Sequence, residues 1–246
     1  MECTLDGIFL IIYNKCILLE MSNVTKYMKY ELKKSNFKSV LNAIEELPYF
    51  NIRNLKIVDI GKEYLRIVIS RLKKRGKIIA LKRGVYVSTR YLNQITNRGA
   101  TGLYNEFVAN TIYQPSYLSC EYILEKYGIM SEAVMVITSV STKKTNKFDN
   151  ELGTFKYYSI KKELFTGFEI KQTENFSIAE ASLAKALFDF LYFRKKFLNS
   201  LGEIKALRLN LENLKRKDWR ELGRYIKFED SKKMREIYNH LTRLYE

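Results

Sequence analysis

The 246-residue sequence predicts an α+β protein with two domains. Stretches with apolar residues at helical spacing alternate with short runs rich in β-branched and aromatic residues. An apolar content of 46% is enough to build a hydrophobic core and argues against disorder. Residues 21–100 hold 18 Lys or Arg and 5 Asp or Glu, against 24 and 19 in residues 101–246. We therefore expect a strongly basic N-terminal domain at residues 23–98 and a less basic C-terminal domain at residues 99–246.

The formal net charge of +16 predicts a polyanionic partner. Lys and Arg side chains gain affinity for phosphate backbones because they release condensed counterions. Composition alone leaves both nucleic acid and an anionic membrane open as that partner. The concentration of the charge in residues 21–100 directs attention to the N-terminal domain.

Residues 1–22 form an N-terminal extension whose origin the sequence leaves open. Their most apolar run, residues 7–19, is too short to span a bilayer and has no basic leading region of the kind that a signal peptide carries. Met21 opens a polar, helix-like stretch, so residues 1–20 come either from an upstream start codon or from an extra element that packs on the core.

The residue inventory argues against an enzyme. Cys3, Cys16 and Cys120 form no CxxC pair, and His240 is the only histidine, so neither a zinc site nor a disulfide framework is predicted. The chain also has no glycine-rich phosphate loop and no arrangement that would favour a Ser-His-Asp triad. We expect a cytoplasmic protein without catalytic residues, metal, cofactor or membrane partner.

The N-terminal domain has the pattern of a helix-turn-helix. Apolar spacing predicts helices over residues 37–47, 52–58 and 62–75, with a turn at residues 59–61 and Gly76 as the terminator of the last helix. The predicted core face of that last helix consists of Leu65, Val68, Ile69 and Leu72. The opposite face carries Glu63, Arg66, Ser70, Lys73 and Lys74. One face is therefore apolar and the other is polar and largely basic.

A predicted β-hairpin follows this helix directly. Alternating apolar residues flank Lys82-Arg83-Gly84, which is typical of two strands joined by a tight turn. Three helices followed by a hairpin are the layout of a winged helix-turn-helix, in which one helix enters the major groove of DNA. We expect Arg66, Ser70 and Lys73 to contact bases, and Lys62, Lys74, Lys82 and Arg83 to contact phosphates. A small helical domain with a solvated basic face is the alternative.

The C-terminal domain is predicted to be a mixed α/β domain with a small sheet and a helical C-terminus. Residues 91–102 are polar and contain two glycines, which predicts a linker or a domain edge. Ser119 is the expected N-cap of a helix that ends at Gly128. Strands are predicted at VMVITSVST and TFKYYSI, with a turn at NKFDNELG between them, and helices from Ile178 onward. Lys143, Lys144 and Lys147 form a second basic cluster, either a contact surface for an acidic partner or a solvated loop.

One enzymatic alternative remains open at this stage. Asp149 followed by Glu169 and Lys171 has loosely the spacing of a restriction-type nuclease core, in which carboxylates hold a divalent metal beside a phosphodiester. Glu-x-Lys is common by chance in a chain with 28% charged residues, and both side chains of such a strand pair can face solvent. A metal-dependent nuclease is therefore a less favoured interpretation.

Four segments in order resemble the AbiEi family of type IV antitoxins. They are YLRIVISRLKKRGKIIALKRGVYV, PSYLSCEYILEKYGIM, VITSVSTKKTNKFDNELGTFKYYSIKKELFTGFE and ASLAKALFDFLY. The resemblance spans about residues 37–195 and rests on the order and spacing of these segments. Residues 1–20 and those beyond about residue 200 lie outside it.

The resemblance implies a bipartite antitoxin and transcriptional regulator. Its winged helix would bind inverted repeats in double-stranded DNA of its own promoter, and its C-terminal antitoxin domain would counter a nucleotidyltransferase-like toxin without a tight complex. Phage defence is the implied biology, and Lys143, Lys144 and Lys147 are candidates for antitoxicity. A plain winged-helix transcription factor with a ligand-sensing or dimerising C-terminal domain remains the alternative.

Overall fold

The computed structural model describes residues 36–53, 55 and 61–245, without the side chains of residues 36–39, 62 and 64. The predicted extension at residues 1–22 and the first two residues of the turn predicted at residues 59–61 lie outside this part of the chain. So does most of the helix expected at residues 52–58. The chain divides into two compact units, with the boundary between Gly99 and Ala100.

The first unit combines helices with a three-stranded antiparallel sheet, in the strand order β1-β3-β2. Its described elements are α1 (Asn36–Glu45), β1 (Phe50–Asn51), α2 (Lys62–Lys74), β2 (Ile78–Lys82), β3 (Val85–Ser88) and α3 (Thr89–Asn97). The predicted helix at residues 37–47, the helix at residues 62–75 and the hairpin are all present. A buried cluster that includes Val40, Ile44, Phe50 and Leu55 joins the sheet to α1 and α2.

Helix α3 occupies most of residues 91–102, so this stretch is not an irregular linker, and the boundary between the two units falls at its end, between Gly99 and Ala100. Ser88 is its N-cap and accepts a 3.0 Å hydrogen bond from the Tyr91 backbone N–H. Ile95 is buried, and Gly99 ends the helix with a φ of +67°. The stretch is polar because only one narrow face of this short helix is buried, and its composition therefore resembles that of a loop.

The second unit is built on a six-stranded mixed sheet, in the order β6-β7-β5-β4-β9-β8. Its helices are α4 (Thr101–Ile112), α5 (Glu121–Lys126), α6 (Leu183–Arg194), α7 (Leu201–Lys205), α8 (Arg216–Glu229) and α9 (Lys232–Tyr245). Its strands are β4 (Ser116–Leu118), β5 (Val136–Ser141), β6 (Asn146–Asn150), β7 (Gly153–Ser159), β8 (Phe168–Gln172) and β9 (Ser177–Ala181). Strands β5 and β7 are parallel, as are β4 and β9, and the other neighbours are antiparallel. The molecule is thus an α+β protein, as predicted.

Two strands replace a predicted turn and a predicted helix start. The expected turn at NKFDNELG contains β6, a mostly exposed edge strand whose polar residues do not alternate with apolar ones. The expected helical region from Ile178 begins instead with β9, in which all five residues are buried. A strand buried on both faces shows no period-2 pattern, and therefore its sequence looks like the start of the following helix.

Candidate nucleic-acid interface

Helix α2 separates a buried face from an exposed polar one. Leu65, Val68, Ile69 and Leu72 are at most 4% exposed, so the predicted core face is confirmed. The exposed residues, which we call the α2 crest, are Glu63, Arg66, Ile67, Ser70, Arg71, Lys73 and Lys74. The crest contains four cations and one carboxylate, so its net charge is positive.

The carboxyl end of α2 leads straight into the hairpin. Gly76, with a φ of +64°, donates its backbone N–H to the Lys73 carbonyl at 3.0 Å, and Lys77 donates to the Leu72 carbonyl at 2.9 Å. This pair of bonds is a Schellman motif, which requires a left-handed residue that glycine adopts without strain. The cations of the last turn also interact favourably with the negative end of the helix dipole.

Three further contacts fix the hairpin and α3 to the helices. Thr89 donates its hydroxyl to the Gly76 carbonyl at 2.6 Å and its N–H to the Lys77 carbonyl at 3.0 Å. Arg90 Nη1 lies 2.7 Å from Glu45 Oε2. These contacts hold the hairpin and the end of α2 in one arrangement. A surface made of both α2 and the hairpin requires this.

The predicted base-contacting residues all lie on α2 and are exposed. Arg66 Nη1 is 2.6 Å from Glu63 Oε1, in an ion pair whose side chains are 63% and 81% exposed. Such an exposed pair contributes at most about 1 kcal/mol, so Arg66 can leave it for another acceptor at little cost. Ser70 and Lys73 lie on the same side of the helix, one turn or two further along.

The predicted phosphate-contacting residues are divided between α2 and the hairpin. Lys74 is exposed in the last turn of α2, and Lys62 begins the helix, although its side chain lies outside the described part. At the hairpin, Lys82 pairs with Val85 across the turn; Arg83 is exposed and Lys82 is half-buried. Arg83 is thus the more accessible of the two cations predicted at the hairpin tip.

Sequence reasoning missed Ile67 and Arg71 on the crest. Ile67 is 48% exposed, and Arg71 lies one turn beyond it on the same side of α2. The signal was available, because at about 100° per residue Ile67 falls well outside the arc of the four core residues. An exposed isoleucine among polar residues can contact the methyl group of thymine, an apolar feature of the major groove.

The second basic cluster lies at the start of edge strand β6. Lys143 Nζ is 5.6 Å from the centre of the Tyr113 ring, and Tyr113 donates its hydroxyl to the Lys144 carbonyl at 2.7 Å. Lys147 Nζ is 3.0 Å from Asp149 Oδ2. All three lysines are exposed, and lysine on an edge strand also discourages pairing with another sheet.

The residues of the nuclease alternative are not brought together. Asp149 lies on β6 and Glu169 and Lys171 lie on β8, at opposite edges of the six-stranded sheet. Five strand spacings of about 4.8 Å separate these edges, which is too far for a shared metal ion. Lys171 Nζ is moreover paired with Glu180. Among the described residues, no group of three or more His, Cys, Asp or Glu is placed to hold a metal ion.

The interior of the second unit holds a buried ion pair on α6. Lys185 Nζ lies 2.5 Å from Asp189 Oδ1, and both side chains are fully buried. Tyr117 and Ser119 donate hydroxyl hydrogen bonds of 3.0 and 2.8 Å to the other oxygen of Asp189. Burial raises the pKa of Asp189, and these donors and Lys185 act in the opposite direction. Ser119 is thus a buried hydrogen-bond donor to Asp189. Its predicted role as the N-cap of α5 was wrong, since Cys120 holds that position.

A second network surrounds the buried carboxylate of Glu180. It accepts hydrogen bonds from Lys126 at 2.8 Å, from the Tyr127 hydroxyl at 2.7 Å and from Lys171. Lys126 also bridges to Glu106 at 2.7 Å. Burial opposes ionisation of Glu180, but the three donors outweigh it and hold its pKa below the ordinary value.

No family model and no curated protein matches this chain. Within the described residues, no helix combines the length and apolar character needed to cross a bilayer. The α2 crest with its attached hairpin is therefore the candidate site on geometry and charge alone.

Proposed function

We propose that the first unit is a winged helix-turn-helix that binds double-stranded DNA, with α2 in the major groove and the hairpin on the adjacent backbone. The observation that carries this proposal is the α2 crest. Arg71, Lys73 and Lys74 are exposed there and, within the described residues, have no ion-pair partner. Phosphate contacts supply affinity and base contacts supply specificity, and the crest offers side chains for both.

We further propose that the chain is an AbiEi-like antitoxin and autoregulator. This finer assignment is supported by the four ordered segments, in particular the end of the hairpin at residues 83–86, the stretch from residue 115 to residue 128, and residues 152–169. The second unit would then counter a nucleotidyltransferase-like toxin, with Lys143, Lys144 and Lys147 as candidate contacts. The assignment would be supported by a neighbouring reading frame that encodes a nucleotidyltransferase-like protein. Expression of that protein should inhibit growth, and co-expression of this chain should relieve the inhibition.

A transcription factor with a ligand-sensing second unit is the competing proposal. It is favoured by an open cleft of about 530 Å³ lined by Tyr158, Phe193, Leu198 and neighbouring residues. That volume lies in the range of small-molecule sites. Absence of the toxin reading frame would favour this alternative, and the DNA-binding proposal is common to both.

The DNA-binding proposal is tested with fluorescence anisotropy on the chain's own promoter duplex and on a scrambled duplex of equal length. Arg66→Ala should weaken promoter binding by about 1 to 3 kcal/mol and reduce the preference for the promoter. Lys82→Ala and Arg83→Ala should each weaken binding to both duplexes. Each should also reduce the slope of log K against log salt concentration by about one. Lys161→Ala, which removes an exposed cation from the second unit, is the matched control.

The pattern across these variants decides the proposal. Recognition of the base sequence by α2 would be supported if Arg66→Ala reduced the preference for the promoter duplex more than Arg83→Ala did. Lys161→Ala should change that preference little. Equal and salt-independent effects from all of these variants would contradict it.

A further inference from the structure

Helix α8 in the second unit carries a basic face that sequence analysis overlooked. Its cations, which we call the α8 face, are Arg216, Lys217, Arg220, Arg224 and Lys227. At about 100° per residue they fall within an arc of about 100°, and they extend over about 16 Å of the helix. All five are exposed, and none has an ion-pair partner among the described residues.

The acidic residues of α8 are held away from this face. Asp218 is buried and accepts a 2.9 Å hydrogen bond from the Lys215 N–H. Glu221 accepts hydroxyl hydrogen bonds of 2.6 and 2.8 Å from Ser182 and Tyr225. Glu229 lies 2.7 Å from Lys195 Nζ. The helix therefore presents cations outward while its own carboxylates are engaged by the protein.

The opposite side of α8 fixes the helix to the second unit. Trp219, Leu222 and Ile226 are at most 9% exposed, and the helix packs on α6 and α9. Because this apolar side is already covered, α8 has no free apolar face to insert into a lipid bilayer. Because α8 is fixed to the rest of the second unit, its cations form a row at the surface, which favours an extended partner that binds along this row.

An aromatic side chain lies beside the basic face. Phe228 is 60% exposed, next to Lys227 near the carboxyl end of the helix. Basic grooves with adjacent exposed aromatic rings are the means by which proteins bind single-stranded nucleic acid, since bases stack on the ring while cations follow the backbone. Arginine, which supplies three of the five cations, is also suited to bidentate contacts with phosphate.

We propose that the α8 face binds single-stranded nucleic acid without sequence specificity, through phosphate contacts to its cations and base stacking on Phe228. An acidic protein would satisfy the charge but would leave the exposed ring without a specific role. Double-stranded nucleic acid would satisfy the charge but keeps its bases stacked inside the helix. This surface belongs to the second unit and does not depend on DNA binding by α2.

The test uses the full chain in an Arg71→Ala/Lys73→Ala/Lys74→Ala background, so that the α2 crest contributes little. Anisotropy is measured with oligo(U) and oligo(dT) of about 20 nucleotides, and with duplexes of equal length, over a series of salt concentrations. The test variant adds Arg220→Ala, Arg224→Ala and Lys227→Ala. The matched control instead adds Lys161→Ala, Lys162→Ala and Lys205→Ala, three exposed cations elsewhere in the unit.

For single-strand binding, we expect the test variant to reduce the slope of log K against log salt concentration by about two. Each of the three lost phosphate contacts lowers that slope by about 0.7. The control should change it far less. Phe228→Ala alone should weaken single-strand binding by about tenfold and leave duplex binding unchanged. The oligo(U) and oligo(dT) arms separate RNA from DNA as the source of the ligand.

Equal salt slopes for the test and control variants would overturn the proposal. So would duplex binding as tight as single-strand binding with no effect of Phe228→Ala. Thermal unfolding midpoints within about 2 °C of one another would show that the variants fold alike, since substitutions of exposed side chains of this kind have little effect on stability.

Discussion

Lysine has opposite roles on the α2 crest and in the interior of the second unit. On the crest, Lys73 and Lys74 are exposed and have no ion-pair partner within the described residues. In the interior, Lys185 is fully buried, lies beside Asp189 and lies within 6 Å of the ring centres of Tyr117, Phe188 and Tyr225. The same ammonium group is thus exposed on the crest, but buried and paired with a carboxylate in the second unit.

The difference teaches which charges are available for binding. A buried ammonium group loses its hydration, and only a nearby carboxylate and aromatic rings can compensate for that loss. An exposed cation keeps its hydration and contributes little to stability, so it can bind a phosphate without cost to the fold. Buried charges are therefore expected to control stability, and the crest cations to control association.

The largest expected effect is that of Asp189→Ala. It leaves the buried Lys185 ammonium without its carboxylate, and we expect the free energy of unfolding to fall by about 3 to 5 kcal/mol. Denaturant unfolding followed by circular dichroism measures the change. Lys73→Ala on the crest is the matched comparison and should change stability by less than about 0.5 kcal/mol.

A double variant shows whether the isolated charge causes the loss. Lys185→Met combined with Asp189→Leu removes both charges and should recover part of the stability that Asp189→Ala loses. A loss of under about 1 kcal/mol for Asp189→Ala would contradict the distinction between the two regions, because it would mean that the pair is not needed by the fold.

An intermediate effect is expected for Glu180→Gln. At pH 7 the variant should lose about 1.5 to 3 kcal/mol, because hydrogen bonds to a charged acceptor are replaced by weaker ones. The folded-state pKa of Glu180 lies below its ordinary value near 4.5, so its contribution is complete above that value and is lost as the pH falls through the folded pKa. The stability difference between the two proteins should therefore shrink below about pH 4.5.

A pH series of unfolding measurements checks this prediction. Glu169→Gln, which alters an exposed carboxylate directly across from Glu180 on the neighbouring strand, is the control and should change stability at pH 7 by less than about 0.5 kcal/mol. A difference between wild type and Glu180→Gln that stays constant from pH 7 to pH 3 would contradict an ionised, hydrogen-bonded Glu180.

The first unit was largely predictable because its signals are local. The core face of α2 follows from helical spacing, and the termination at Gly76 follows from the conformational freedom of glycine. The turn between β2 and β3 follows from the glycine at its end. The second unit was less predictable because β9 is buried on both faces and β6 is exposed at an edge, so neither strand shows alternation. Its sheet order depends on long-range pairing that no local pattern contains.

Most cations of the candidate site were predictable from the sequence, whereas the buried networks of the second unit were not. The sequence shows that Arg66 lies on the polar face of a helix, and its pairing with Glu63 follows from a spacing of three residues. Lys185 and Asp189 have a helical spacing of four residues, but the hydrogen bonds from Tyr117 to Asp189 and from Tyr127 to Glu180 join residues 72 and 53 positions apart, which no spacing rule could find. The basic face of α8 was detectable from helical spacing alone, since its cations recur at intervals of three and four residues.

Apart from the control variants, Glu63→Gln is expected to change stability least, and it tests the exposed side of the comparison. The pair that it breaks is largely exposed, so the free energy of unfolding should change by less than about 1 kcal/mol, including the loss of a favourable charge in the first turn of α2. Promoter affinity should nevertheless rise, because the substitution removes the only carboxylate of the crest and releases the Arg66 guanidinium. Parallel unfolding and anisotropy measurements give both quantities, with Glu125→Gln on α5 as a control for removal of a carboxylate elsewhere. If Glu63→Gln instead weakened promoter binding, Glu63 would have to position Arg66 or accept a hydrogen bond from cytosine, and exposure alone would no longer identify the side chains that are free to bind.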